Sequence, residues 1–195
     1  MSTNRKRGFT LVEMLIVVTV LGIMASVILP SMHSTSSLIG LEAAARTMAA
    51  DLRIARQSAV QYNSTYAVTI DLSGNSYQIK FTGTGTVPVL TNTLLTADTN
   101  GNQIDFDQWS AGRLSQTRVV LAGAALKTSK TAVTDVTFGP SGGTGPSRTQ
   151  DTVFWLTQGS GNERLSVLVT VSWLTGNVTV GDVQTYPSTQ IRPTF

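Results

Sequence analysis

The chain has 195 residues, with 14 basic and 11 acidic side chains, a formal net charge of +3 and no cysteine. That length allows one domain with appendages, and the lack of thiols excludes disulfides, thiol catalysis and thiolate metal sites. Three of the basic residues, Arg5, Lys6 and Arg7, precede a long apolar run; beyond them 11 basic side chains face 11 acidic ones, a balance that favours no polyanionic partner.

From Phe9 to Leu29 the sequence is apolar with a single charge, Glu13. As a helix, this stretch is long enough to cross the ~30 Å of a bilayer's hydrocarbon. A carboxylate inside such a segment costs about 2.5–3.5 kcal/mol at mid-helix and less near the end, so Glu13 reads as functional. A basic leader, a Gly8-Phe9 junction and an acid at the fifth position of the apolar run together resemble the signal of type IV prepilins, the motif read by prepilin peptidase. An ordinary secretory signal peptide fits less well: Glu13 would fall inside its apolar core, and no small-x-small cleavage site follows it cleanly.

The resemblance implies cytoplasmic cleavage between Gly8 and Phe9, N-methylation of the new Phe9 amine, and a pairing of Glu13 with the Phe9 ammonium of a neighbouring subunit. Arg5, Lys6 and Arg7 would keep the leader in the cytoplasm. The presence of Glu13 argues against the filament-tip type of pseudopilin that lacks this acid. Gly22 and Pro30 stand where pilins carry helix-softening residues. Pro30 has no amide for the Ser26 carbonyl, so it predicts either a kink or a helix end.

After a polar stretch, Ser31–Ser37, a second helical pattern begins. Leu38, Leu41, Ala45, Met48, Leu52, Ala55 and Ala59 recur at three- and four-residue steps, a narrow apolar stripe whose alanines suit close packing on a sheet. Glu42 precedes Arg46 by four residues, the favourable order for a helical ion pair. Leu52, Ala55, Arg56 and Ala59 form an L-x-x-A-R-x-x-A pattern that resembles the GspH/FimT family of minor pilins and pseudopilins. Arg56 reads as a surface cation near a helix C-terminus, with a structural role.

From Ser64 onward the pattern is one of short β-prone runs and turn residues. Thr65–Leu72 and Tyr77–Thr82 flank Ser73-Gly74-Asn75, a predicted hairpin. Further strands are predicted at Arg118–Leu121, Val133–Phe138, Thr152–Thr157, Leu165–Trp173 and Asn177–Val180. Phe138–Gly142 resembles the family's strand-then-glycine turn, and Leu165–Val180 its closing hairpin. Trp155 and Trp173 are expected in the sheet core. Residues 83–132 match nothing specific and read as a variable insertion.

Sites for chemistry are sparse. His33 is the only histidine and lies beside the apolar run, so neither a Ser-His-Asp triad nor a histidine zinc site is expected. Gly142-Gly143-Thr144-Gly145-Pro146 lacks the lysine and helix of a phosphate loop and reads as a flexible turn. Asp98, Asn100, Asn102, Asp105 and Asp107 form a weak calcium candidate. Gln103 stands at the sixth position where a calcium loop needs glycine, so a turn feeding a strand is the stronger reading. DNA uptake is the functional rival, since some minor pilins of the family bind DNA through arginines on the final hairpin turn. Here that turn carries Asn177 and Thr179, with only Arg192 basic beyond it, too few cations for phosphate neutralisation.

The expected protein is therefore α+β and pilin-like, with a long N-terminal helix packed on an antiparallel β-sheet head. Its expected parts are a leader (1–8), a transmembrane and filament-core helix (9–32), an amphipathic helix (33–62) and a periplasmic β-rich domain (63–195). No enzymatic activity and no cofactor are expected. The expected partners are prepilin peptidase, the inner membrane and other pilins or pseudopilins, with nucleic acid disfavoured. The expected function is that of a structural subunit of a type II secretion pseudopilus or a type IV pilus.

Overall fold

The computed structural model describes residues 10–83, 103–107, 118–146, 148–159 and 163–187; for residues 27–37 it describes the backbone only. Among the described residues one long helix, α1 (Leu11–Gln61), precedes nine strands. The chain divides into two units at Ser36–Ser37, and each has its own character.

In the first unit, α1 starts where Thr10 caps it. The Thr10 Oγ1 accepts from the Glu13 amide at 3.2 Å, and the Thr10 carbonyl accepts from the Met14 amide at 3.2 Å. Residues 11–26 are exposed all round, Leu11, Val12, Leu15, Ile16, Leu21 and Ile23 among them. The helix assignment runs through Pro30 without a break, so the proline is internal to α1. Among the described residues no helix is long and apolar enough to cross a membrane; Phe9, and the side chains of residues 27–29 in the same apolar run, lie outside them.

In the second unit α1 becomes one-sided. Leu41, Ala45, Met48, Leu52, Ala55 and Ala59 of the predicted stripe are buried, joined by Ala44, Ala49, Asp51 and Ser58, whereas Leu38 remains 40% exposed. The alanines leave little between helix and strand backbone, as their spacing suggested. The predicted Glu42–Arg46 pair forms at 2.5 Å on the exposed side. The helix stops in a Schellman turn: Asn63 takes the left-handed conformation (φ 48°), and the Ser64 and Asn63 amides reach back to the carbonyls of Ala59 and Val60.

The strands are β1 (Tyr66–Asp71), β2 (Ser76–Phe81), β3 (Gln103–Asp105), β4 (Val119–Leu126), β5 (Asp135–Phe138), β6 (Thr152–Gln158), β7 (Glu163–Val171), β8 (Val178–Val180) and β9 (Gln184–Pro187). They form two antiparallel sheets, with orders β3-β2-β1-β5 and β4-β6-β7-β8, β9 also pairing with β7. The predicted first hairpin is present, its turn held by the Asp71 carboxylate, which accepts from the Ser73 and Gly74 amides and the Ser73 hydroxyl. Two strands have no counterpart among the predicted runs. These are β9 and β3, the latter inside the stretch that read as an insertion.

One buried cluster unites α1 with both sheets, including Tyr66, Val68, Phe138, Phe154, Leu156, Val167 and Val169. Strand β6 is buried on both faces, with Val153 and Trp155 opposite Phe154 and Leu156. Trp155 lies over Gly123, where β4 has a bulge; a Cβ at Gly123 would come within 2.3 Å of the indole. Trp173 departs from its expected place. It is 37% exposed, because β7 ends at Val171 and the tryptophan falls in the turn that follows.

Candidate functional site

Glu13 is the third helical residue of α1, and with Thr10 it forms the Thr-x-x-Glu signature of a capping box. A carboxylate in the first turn also meets the positive end of the helix dipole. This position lowers the cost of carrying an acid in an apolar helix, leaving Glu13 as the sole charge on an exposed apolar surface. The capping role of Thr10 escaped the sequence reading, although a threonine three residues before an acid at the head of an apolar run is its recognised signal. Gly8 and Phe9 lie outside the described residues. Gly22 is on the exposed helix, with nothing within 4 Å of an added Cβ, and Pro30 contributes backbone alone to the description.

Arg56 is not a free surface cation. It is half-buried, and its Nε donates to the Gly142 carbonyl at 3.2 Å. One turn earlier, Arg53 donates to the Val178 carbonyl at 2.7 Å. The two arginines thus fasten α1 to the glycine turn after β5 and to the closing hairpin. The turns themselves interlock. Gly142 (φ 82°) and Gly176 (φ 65°) are both left-handed, and a Cβ on Gly176 would fall 1.8 Å from the Gly142 carbonyl oxygen. The segment read as a flexible turn is therefore packed: Gly142, Gly143 and Thr144 are buried, and the Thr144 amide donates to the Trp173 carbonyl at 3.0 Å.

A second buried link joins α1 to β2. The Tyr77 hydroxyl donates to Asp51 Oδ2 at 2.5 Å, and both residues are about 1% exposed. Burial first, then the Asp51 charge, raises the Tyr77 pKa well above its usual value, so the phenol stays protonated as the donor. No sequence pattern flagged this pair, because an acid on an amphipathic helix and a tyrosine in a strand are each ordinary alone.

Of the calcium candidates, Asp98, Asn100 and Asn102 lie outside the described residues. Asp105 Oδ1 accepts from the Asp107 amide at 2.7 Å. Both oxygens of Asp107 are engaged by Arg118, at 2.6 and 2.5 Å, and Oδ1 also accepts from Asn75 Nδ2 at 2.6 Å. The Arg118 hydrogen bonds hold the Asp107 carboxyl below the usual carboxylate range. Asn75 in turn donates to the Val119 carbonyl and accepts from the Leu121 amide, so this cluster staples the first hairpin to β4 of the other sheet. Among the described residues, no group of three or more His, Cys, Asp or Glu could hold a metal ion.

The turn that would serve a DNA receptor, Leu174–Thr179, contains no charged residue. The cations beside it, Arg53 and Arg56, hold backbone carbonyls, and Arg118 is paired with Asp107. Arg192 lies outside the described residues.

Comparison with known proteins agrees with both halves of the sequence. The prokaryotic N-terminal methylation motif matches residues 3–29, and the family described as type II transport protein GspH matches residues 44–176. No curated protein matches the chain. The type IV minor pilin FimU of Pseudomonas aeruginosa (strain PAO1) is similar in two crystal forms. One shows 17% identity over 77% of this chain and 90% of that chain with a TM-score of 0.43, the other 16% over 77% and 95% with 0.41. The GspH match spans most of the chain, from Ala44 in α1 through β7; the chain belongs to the GspH family of pilin-like proteins.

Proposed function

We propose that this protein is a structural minor pilin or pseudopilin, cut by prepilin peptidase between Gly8 and Phe9, N-methylated at Phe9, anchored in the inner membrane by its first helix and assembled into a filament on the periplasmic side. The filament is a type II secretion pseudopilus or a type IV pilus, and the subunit supports protein secretion or pilus assembly from a low-copy position near the tip. The observation that carries this reading is Glu13, the one carboxylate of the helical segment 11–26, whose apolar side chains are exposed. Such a surface is stable only against lipid or other apolar helices. In a helix bundle Glu13 meets the Phe9 ammonium of a neighbour in low dielectric, which sets the axial register.

Processing tests the reading first. Mass spectrometry of the membrane-extracted protein should show a chain beginning at methylated Phe9, and Gly8→Val should retain the leader. A mature N-terminus near residue 30 would instead establish a conventional signal peptide. No observation on the closing turn favours a DNA receptor: duplex DNA should bind a domain starting at Ser37 no tighter than about 10⁻⁴ M at physiological salt.

A further inference from the structure

Strand β4 stands at one end of its sheet, with β6 on its inner side. Its sequence, Val119-Val120-Leu121-Ala122-Gly123-Ala124-Ala125-Leu126, has no charge and no proline. An uncharged edge strand offers its outward amides and carbonyls to any other strand, and pairing between copies is the hazard. Charges at the ends of such a run discourage that pairing. Arg118 and Lys127 flank β4 in this way, but Arg118 is drawn aside by the carboxylate of Asp107.

Other parts of the chain meet the outward edge of β4. Along its second half, residues 130–133 do so with backbone. The Val133 amide donates to the Ala124 carbonyl at 3.0 Å, the Leu126 amide to the Thr131 carbonyl at 2.9 Å, and the Lys130 amide to the Leu126 carbonyl at 3.0 Å. Along the first half, the side chain of Asn75 takes that place. Its Nδ2 donates to the Val119 carbonyl at 2.9 Å, and its Oδ1 accepts from the Leu121 amide at 2.8 Å. A carbonyl and the amide two residues on face the same edge of a strand and are groups that an incoming strand would take up. A primary amide carries both a donor and an acceptor, so it can occupy the two at once. The bulge between Leu121 and Gly123 falls where one arrangement gives way to the other.

Asn75 is about 1% exposed and stands on a left-handed backbone (φ 46°) in the turn of the first hairpin, where glycine would fit with less strain. What the position gains from asparagine is therefore the side-chain amide. Asp107 Oδ1 accepts from the same Nδ2 at 2.6 Å, which fixes the amide with its oxygen toward Leu121.

We propose that the Asn75 side chain closes the first half of the β4 edge against strand pairing with β4 of a second copy of this chain. A second copy is the occupant because an uncharged run meets its own antiparallel image about a twofold axis without electrostatic cost. The test compares full-length chains in detergent micelles by hydrogen–deuterium exchange at the Leu121 amide and by sedimentation over a concentration series. Asn75→Gly suits the left-handed backbone and removes only the side chain. At low concentration it should speed Leu121 exchange about tenfold, the change expected for one lost hydrogen bond. As concentration rises it should associate more than the unaltered chain, with residues 119–121 protected again. Val120 is half-buried in the same strand. Adding Val120→Lys puts a charge on the opened edge and should suppress the association while leaving the fast exchange at low concentration.

Unchanged Leu121 exchange in Asn75→Gly would overturn the proposal, as would sedimentation matching the unaltered chain at every concentration. Association that Val120→Lys leaves intact would also overturn it, since that contact would not run through the β4 edge. Should the glycine variant fail to fold, judged by exchange of the β6 amides, Asn75→Asp serves with the same readouts and outcomes. Aspartate tolerates the left-handed backbone, but it loses the donor to Val119 and sets a second carboxylate beside Asp107.

Discussion

Residues 11–26 and the unit from Ser37 onward use apolar side chains in opposite ways. The first segment exposes them around the whole helix, whereas in the second Leu41, Met48 and Leu52 are fully buried in a cluster that includes both sheets. One stretch of a single helix thus lacks any core of its own, and the next is part of one. On the proposed filament function, the difference separates two tasks along α1: assembly in the first segment, stability of the folded head in the second. It also separates two kinds of polar residue. Glu13 stands alone on an exposed surface, whereas Asp51, Arg53 and Arg56 each hold a partner inside or beside the head.

Variants that strike the head should change its unfolding free energy, and those in residues 11–26 should not. The largest loss is expected from Gly176→Ala, whose Cβ would meet the Gly142 carbonyl at 1.8 Å on a left-handed backbone. A domain starting at Ser37 should lose at least about 3 kcal/mol in denaturant unfolding. Tyr77→Phe comes next: it removes a hydrogen bond to a buried carboxylate and should cost about 1.5–3 kcal/mol. An unchanged midpoint for Tyr77→Phe would show that the Asp51 link contributes nothing to the head.

Arg56→Met keeps most of the aliphatic stem, removes the bond to Gly142 and should cost about 1 kcal/mol. The smallest effect is expected at Asp107. Its folded pKa is depressed, chiefly by Arg118, so its stabilising contribution is present above the ordinary carboxylate range. That contribution is lost as pH falls through the lowered value. Both partners are more than a third exposed, and salt should weaken the effect further. Asp107→Asn should therefore leave neutral-pH stability almost unchanged and flatten part of the acid limb of a stability–pH curve.

The sequence made the two halves of α1 legible for physical reasons. A continuous apolar run with one acid, and a three- and four-residue stripe of Leu, Met and Ala, are strong one-dimensional signals. The first hairpin, the start of β4 and strands β5 to β8 were readable because β-branched runs alternate with glycine turns. What escaped was long-range. Gly142, Gly176 and Arg56 are 86 or more positions apart in two of their three pairings, and no local pattern says that an arginine on a helix will fill the space between two turns. Trp173 was misplaced for a related reason: a tryptophan at the end of a β-prone run looks like core until the strand is seen to stop at Val171. The short strands β3 and β9 carry too few residues for an alternating pattern to stand out.

In the proposed division of tasks, Glu13 serves assembly and not the stability of the head. The direct measurement is the incorporation of full-length Glu13→Ala, relative to the unaltered chain, by cross-linking between its first helix and those of other pilins, with membrane insertion and abundance followed in parallel. Insertion should be as good as or better than before, because a costly acid is gone, the head should be unaltered, and incorporation should fall by about tenfold or more for loss of a buried counter-charge. Normal incorporation of the alanine variant would contradict that division.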